Sequence, residues 1–440
     1  MNFEWRTLTL GELGRVVTGK TPKTSDPNNF GGTIPFVTPT DMDGQKVVKQ
    51  TARYLSETGA STVKNSIIPR GSVMVSCIGS DMGKAVVAGH DCISNQQINS
   101  IVVDTQFSSD FVYYNLSMRK AELQHLASGG STMPILNKSS FSAIKIEIPS
   151  LLEQREIAAL FASLDDRIAL LRETNTTLEA IAQALFKSWF VDFDPVRAKQ
   201  QGCEPEGMDA STAALFPDSF EESELGLVPN GWTTCPVYDL GTYINGAAYK
   251  AFDPNLARRG LPIIKIAELK AGVTLQTAYS DVAMPEKYRI QTGDILFSWS
   301  GNPDTSIDTF VWAYDQAWLN QHIFRVIPHA VKERSFLLRI LKHLRPVFAE
   351  LARNKQTTGL GHVTVSDLKH LQVIKPKKTV LEYFDKAVAP IHDTMFNNEK
   401  IIQNLIALRD TLLPRLISGQ LRLPAVEALL KETEETARAV

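Results

Sequence analysis

The chain has 440 residues, of which 43% are apolar and 21% charged, and a net charge of −2. That length allows two or three domains with full cores, and the apolar fraction excludes a disordered chain. No apolar run approaches the roughly 20 residues of a membrane span. The opening Met-Asn-Phe-Glu-Trp-Arg lacks a signal peptide's apolar segment, and the four cysteines (Cys77, Cys92, Cys203, Cys235) lie far apart, so a cytoplasmic protein without disulfides or a zinc knuckle is expected.

From the N-terminus, short β-type runs come first: Thr33–Thr38, Val73–Ile78, Ala85–Ala88 and Ile98–Val103. A helix is expected over about 109–127, then a Gly/Ser loop at 128–132 and an alternating strand, Ile144–Ile148, ended by Pro149. The period then changes from 2 to 3.5. Ile157, Phe161, Leu164, Ile168, Leu171, Asn175, Leu178, Ala182, Leu185 and Trp189 are spaced 4-3-4-3, a heptad seam. At 1.5 Å per residue, a helix over 154–190 is a rod of roughly 55 Å. Residues 196–230, rich in Pro, Gly and acid, read as a linker.

After the linker the pattern starts again. Trp5 maps onto Trp232 at an offset of 227, and the same offset carries Leu13-Gly14 onto Leu240-Gly241 and Leu185 onto Leu412. Strands are expected at Leu261–Ile266, Ile295–Trp299 and Ile323–Ile327, with a helix near 333–353. A second heptad seam runs from Phe384 through Val388, Ile391, Met395, Asn398, Ile402, Leu405, Arg409 and Leu412 to Leu416, with Pro414 and Gly419 marking where it bends and stops. A period this long is two copies of one domain-plus-helix unit rather than a solenoid. The organisation is thus a domain over 1–150, a helix over 151–195, the linker, a domain over 231–378, a helix over 379–421 and a tail over 422–440. The fold class is α/β, two tandem pseudo-repeated domains each followed by a long helix.

Each seam carries one asparagine, at non-equivalent places: Asn175 corresponds to Ile402 and Asn398 to Leu171. Parallel pairing would set each amide against an apolar side chain. Antiparallel pairing sets Asn175 opposite Asn398, so the helices are expected to form an antiparallel coiled coil with its register fixed there. Charge follows the same division. Residues 1–150 carry net +2, 151–230 net −9, 231–378 net +7 and 379–440 net −2. Basic domains joined by acidic connectors suit a protein whose domains touch a polyanion.

Gly14-Arg-Val-Val-Thr-Gly-Lys20-Thr21 satisfies the phosphate-loop pattern letter by letter. Its context does not: Pro22 follows where a helix would have to open, and the second copy lacks the motif. Lys20 and Lys23 on this Gly/Pro loop read better as contacts to a nucleic-acid backbone. There is no H-E-x-x-H, G-x-S-x-G or G-x-G-x-x-G. Asp192 and Asp194 lack a third metal ligand and read as a solvated helix exit.

The helix exit Leu185-Phe-Lys-Ser-Trp-Phe-Val-Asp-Phe-Asp-Pro-Val-Arg197 resembles a signature of type I restriction–modification specificity subunits. So do Ser223-Glu-Leu-Gly-Leu-Val-Pro-Asn-Gly-Trp232, Ile34-Pro-Phe-Val-Thr38 with Asp41, Ile148-Pro149 before Glu153-Gln154, and the tail Leu412-Leu-Pro-Arg-Leu-Ile-Ser-Gly-Gln-Leu421. The resemblance covers essentially residues 1–421. It implies that each α/β unit is a target-recognition domain for one half of a split double-stranded DNA site, and that the helices are the spacer on which two methyltransferase subunits dock. It implies no catalysis and no cofactor in this chain. S-adenosylmethionine, ATP and magnesium belong to the methyltransferase and restriction subunits. Within that frame the candidate DNA contacts are Lys20, Lys23, Thr38, Thr40, Ser80, Lys84 and Ser131 in the first domain. In the second they are Tyr249, Lys250, Lys265, Trp299, Asn302, Lys355 and Thr357. Asn95-Gln96 and Asn320-Gln321 recur in both copies, which argues for a shared structural hydrogen bond. The rival readings are a stand-alone DNA-binding regulator and an ATPase built on Gly14–Thr21.

Overall fold

The computed structural model describes residues 5–42, 44–79, 81–127, 135–356 and 360–424. The chain forms two compact units, Met1–Ile168 with Asn404–Val440, and Ala169–Gln403. Each unit is therefore one α/β domain together with the start of one long helix and the end of the other.

In the first unit, two sheets share the core. One has five strands in the order Gly14–Thr18, Ile98–Val103, Val73–Ser76, Ala85–Ala88, Val47–Val48. The other has four: Arg53–Leu55, Phe30–Val37, Cys92–Ser94, Ile67–Ile68. The pairing Phe36↔Ile93 is parallel, whereas the flanking pairings are antiparallel. Arg6–Thr9 pairs with Lys145–Ile148 and closes the domain where its chain leaves for the rod.

The second unit repeats this plan. Gly241–Asn245, Ile323–Pro328, Ile295–Ser298 and Asp308–Val311 make one sheet. Tyr279–Ser280, Leu261–Ile264, Ala317–Leu319 and Arg289–Ile290 make the other, again with one parallel pairing at its centre. Thr233–Pro236 closes on Gln372–Lys375.

The long helices run Leu151–Phe190 and Lys378–Ile417, 40 residues each. The second continues through Pro390 and Pro414, and Gly419, with φ 71°, marks its exit. In the first unit Ile157, Ala158 and Phe161 share a core with Leu413, Leu416 and Ile417. In the second, Ala182, Phe186 and Trp189 share one with Phe384 and Val388. The start of one helix thus meets the end of the other, which is antiparallel pairing.

Several expected elements differ. The helix expected over 109–127 is two, Ser109–Ser117 and Lys120–Ala127. Between them Arg119 turns to donate to the Lys145 carbonyl and Asn115. The helix expected over 333–353 is Arg334–His343 and Arg345–Asn354, because Pro346 lacks the N–H that continuation needs and suits a new first turn. Residues 196–230 are not a loose linker. They hold a helix at Asp194–Gln200 and a hairpin, Phe220–Ser223 with Gly226–Pro229, and they bury Val196, Phe216 and Val228.

Candidate DNA-recognition surfaces and the helical rod

The phosphate-loop lookalike is strand. Gly14–Thr18 pairs along Ile98–Val103, and no helix opens after Lys20-Thr21, where a phosphate loop needs one; the next helical turn is the short 3-10 segment Pro27–Asn29. Its two glycines are needed for close backbone approach. A Cβ at Gly14 would lie 2.1 Å from the Val102 carbonyl oxygen, and one at Gly19 would lie 2.1 Å from that of Asn95.

Around Gly19 the first domain gathers four loops. Gly19 N–H donates to the Ile98 carbonyl, Asn95 N–H donates to the Val37 carbonyl, and the Thr21 hydroxyl donates to Gln96 Oε1 at 2.8 Å. Lys84 reaches the Pro39 carbonyl and pairs with Asp81 at 2.9 Å. Lys20, Lys23 and Thr40 are exposed beside this junction. Thr38 is engaged: its N–H and hydroxyl both donate to Asp41 Oδ2, at 2.8 and 2.7 Å, and the hydroxyl lies 2.8 Å from that of Thr40. The other Asp41 oxygen accepts from Ala52 N–H. Ser80 and Ser131 lie outside the described residues.

The second domain builds the same junction from other residues. Gly246 N–H donates to Ile323, Asn320 N–H to Ile264, and Tyr249 N–H to Gln321 Oε1 at 3.0 Å. Glu268 takes the place of Asp41, accepting from Lys265 N–H and the Thr277 hydroxyl. The strand expected to reach Ile266 ends at Ile264 because Glu268 caps a helix, Ile266–Ala271, there. Both Asn-Gln pairs, and both acids, are thus scaffold shared by the copies.

Tyr249, Lys250, Lys265 and Trp299 come together at this second junction. The Lys265 ammonium lies 5.2 Å from the Tyr249 ring centroid, and Trp299 Nε1 donates to Asn245 at 3.1 Å. Asn302 is occupied in a turn, its Oδ1 accepting from Asp304 and Thr305 N–H groups. Lys355 is drawn aside, its Nζ 2.6 and 2.7 Å from the two oxygens of Asp367. Thr357 lies outside the described residues.

Each domain is fastened to its rod segments by a polar cluster. In the first unit Asp165 accepts from the Tyr114 hydroxyl at 2.8 Å and from Arg409 at 2.9 Å. Burial, reinforced by Asp165, pushes the Tyr114 phenol well above its ordinary range. In the second unit Glu179 receives both Nη atoms of Arg339, at 2.7 and 3.0 Å, and Lys342 at 3.1 Å. Burial favours protonation of Glu179, but these cations outweigh it and hold its carboxyl below the usual range. Arg339 is 1% exposed. Nearby His392 is held neutral down to about pH 3, by burial first and then by the Arg339 charge. A cavity of about 620 Å³ opens beside this cluster, lined also by Arg334, Asp393 and Glu399.

At the middle of the rod, Asn398 Nδ2 donates to Asn175 Oδ1 at 2.8 Å, and Asn175 Nδ2 donates to the Met395 carbonyl at 3.1 Å. In a double-mutant cycle by chemical denaturation, Asn175→Leu and Asn398→Leu should each cost about 1 kcal/mol, since each leaves a half-buried amide short of a partner. The double variant should cost less than the two together, by at least about 0.5 kcal/mol. Strict additivity would mean that the pair is not coupled.

The model of the type I restriction modification DNA specificity domain matches twice, over residues 2–180 and 229–407. The chain is 25% identical over 428 residues to the type I restriction enzyme MjaIX specificity subunit of Methanocaldococcus jannaschii, covering 95% of this chain and 94% of that one. It is also 25% identical over 472 residues to the HindI specificity subunit of Haemophilus influenzae, covering 95% and 100%. Among solved structures, the type I restriction-modification S subunit from M. genitalium superposes with a TM-score of 0.58 at 15% identity, over 94% of this chain and 96% of that one. With both copies of the domain matched across most of its length, the chain belongs to the type I restriction–modification DNA specificity family.

Proposed function

We propose that this chain reads a bipartite DNA target, one half-site per recognition domain, and presents it to methyltransferase and restriction subunits bound on its spacer helices. Its role in the family is recognition without catalysis. S-adenosylmethionine, ATP and magnesium belong to the partner subunits. The observation that carries the reading is the pair of junctions. Both use the same scaffold of Gly19 or Gly246, Asn95 or Asn320, and Asp41 or Glu268. Yet the side chains presented on them differ: the exposed Lys20, Lys23 and Thr40 in one, the exposed Lys250 with the half-buried Tyr249 and Lys265 in the other. A common frame with unlike contact residues suits two unlike half-sites. Lys20, Lys23 and Lys250 are assigned to phosphates. Thr40 and Lys265 are assigned to bases; Thr38 and Trp299, whose donors are taken by Asp41 and Asn245, join Lys84, Asn302 and Lys355 as supporting contacts.

The test is co-expression with the methyltransferase subunit encoded beside this chain, followed by mapping of methylated adenines by single-molecule sequencing. A split motif with an unspecified gap is the expected result. A contiguous motif would sink the bipartite reading. Failure to form any complex, together with tight DNA binding by the chain alone, would favour the stand-alone regulator.

A further inference from the structure

In each unit the sheet with the central parallel pairing ends in an edge strand, and at each such edge an arginine is held by an aromatic ring. In the first, Arg53 lies opposite Phe36 in the register of the edge pairing. Its guanidinium carbon is 4.4 Å from the Phe30 ring centroid and 5.5 Å from that of Phe36. The chain just before it is anchored twice, by Ala52 N–H on Asp41 and by the Thr51 hydroxyl on the Arg53 carbonyl at 2.6 Å. That places Arg53 beside the Thr38–Asp41 turn.

In the second, Arg258 donates from Nη2 to the Tyr279 hydroxyl at 2.8 Å, with its guanidinium carbon 5.2 Å from the ring centroid. Its backbone is left-handed, φ 57°, which a residue with a side chain adopts only where its surroundings over-determine it. Here they do. Asn255 exchanges backbone hydrogen bonds with Tyr279, and its side chain bonds both the N–H and the carbonyl of Arg259.

Arg53 and Arg258 are exposed, and neither pairs with a carboxylate among the described residues. This sets them apart from Arg339, Arg353 and Arg409, whose charges are neutralised by acids. Arg422 also lies over a ring, that of Trp5, but it pairs with Glu153. A guanidinium resting on a ring has restricted rotation and one dry face; the edge N–H groups of Arg53 stay open, and Arg258, with one Nη2–H on the Tyr279 hydroxyl, keeps its others for a ligand. That edge is a planar fork matching the two acceptors, O6 and N7, that guanine shows in the major groove.

We propose that Arg53 and Arg258 are specificity-determining residues, each reading a guanine in its own half-site. The proposal rests on the bipartite reading above. A phosphate does not require a fixed plane, and lysines on mobile loops serve it as well. The equivalent edges deliver the arginine differently, from the strand itself in one domain and from the preceding loop in the other. This fits two domains with one frame and different targets.

The experiment compares methylated-adenine motifs for the complex carrying Arg53→Met, Arg53→Lys or Arg258→Met, with thermal unfolding of each variant alongside. Methionine still covers Phe30 and Phe36 but carries no charge; lysine keeps the charge and loses the fork. Arg53→Met and Arg53→Lys should both make one guanine position of a single half-site degenerate, with about 10- to 100-fold of base discrimination lost there. Arg258→Met should do the same in the other half-site only, and all should melt near the parent. Unchanged motifs, a uniform fall in methylation at every position, or restoration of the parent motif by Arg53→Lys would each overturn the proposal. A parent complex that methylates no split sequence would overturn the bipartite reading instead.

Discussion

Glu179→Ala is expected to destabilise the second unit by about 3 kcal/mol, at the lower end of the cost of unpairing a buried charge. The reason is Arg339, whose side chain is 1% exposed and whose two Nη atoms both end on Glu179. Without the carboxylate the guanidinium stays inside a low-dielectric site, next to Lys342, with its Nε already lacking a partner. The cost stays at the lower end because Glu179 is itself 31% exposed and the adjoining cavity admits water. For a unit of this size the melting temperature should fall by about 6–12 °C. Glu179→Leu with Arg339→Leu should recover most of the loss, since an apolar pair of similar volume replaces a buried ion pair at little cost. Differential scanning calorimetry of both variants decides it. A single variant that melts with the parent would show that the pair contributes nothing, as many exposed pairs do.

The scaffold was legible in the sequence because periodicity and repetition report burial directly. Ala85–Ala88 and Ile98–Val103 are strands over the expected residues, and the seam positions Ile157, Phe161, Phe384 and Leu416 are all buried. The antiparallel pairing followed from one physical argument, that an amide is costly against an apolar neighbour. What was lost in the sequence lay where polarity concealed packing. The acidic stretch over 196–230 reads as solvent-exposed, yet Phe216 and Val228 within it are 2% exposed. Phe216 packs on Trp189 and Trp232 in the second unit's core, and Val228 lies in the hairpin, so a few apolar residues suffice to anchor a polar stretch.

The candidate recognition surface was legible only in part. A lysine on a Gly/Pro loop is recognisable, but whether its charge is free depends on how the chain around it folds: Lys355 ends on Asp367 and Lys84 beside Asp81. Asp41 and Glu268 could have been recognised as scaffold by setting the two copies one above the other, since both fall at the offset of 227. Arg53 and Arg258 could not. They occupy equivalent edges from non-equivalent positions, and the rings that hold them are brought there by strand pairing alone.

Phe190→Ala should cost about 3–5 kcal/mol, the range for a buried aromatic truncated in a core that cannot collapse around the gap. The residue lies in the helix exit that carries the family resemblance, and the structure shows why that stretch is aromatic. Phe190 is 7% exposed, with its ring centroid 4.8 Å from that of Phe384, 5.1 Å from Phe336, 5.4 Å from Phe186 and 5.9 Å from Trp232. The rings come from both rod helices, the opening of the second domain and the helix Arg334–His343, so one truncation loosens four elements. In the first unit the counterpart is plainer: Trp5 packs near Leu416 and Gly419 at the end of the other rod helix. Asp192→Ala, two residues further on, should change stability by less than about 1 kcal/mol, because its partner Lys187 is exposed. Thermal melts of the two variants should therefore separate by several degrees. If a Phe190→Ala complex assembled at low temperature still methylates the parent motif, these aromatics build the frame rather than read the DNA. A changed motif with an unchanged melt would reverse that assignment, since a residue inside the core has no route to a base except through the fold it supports.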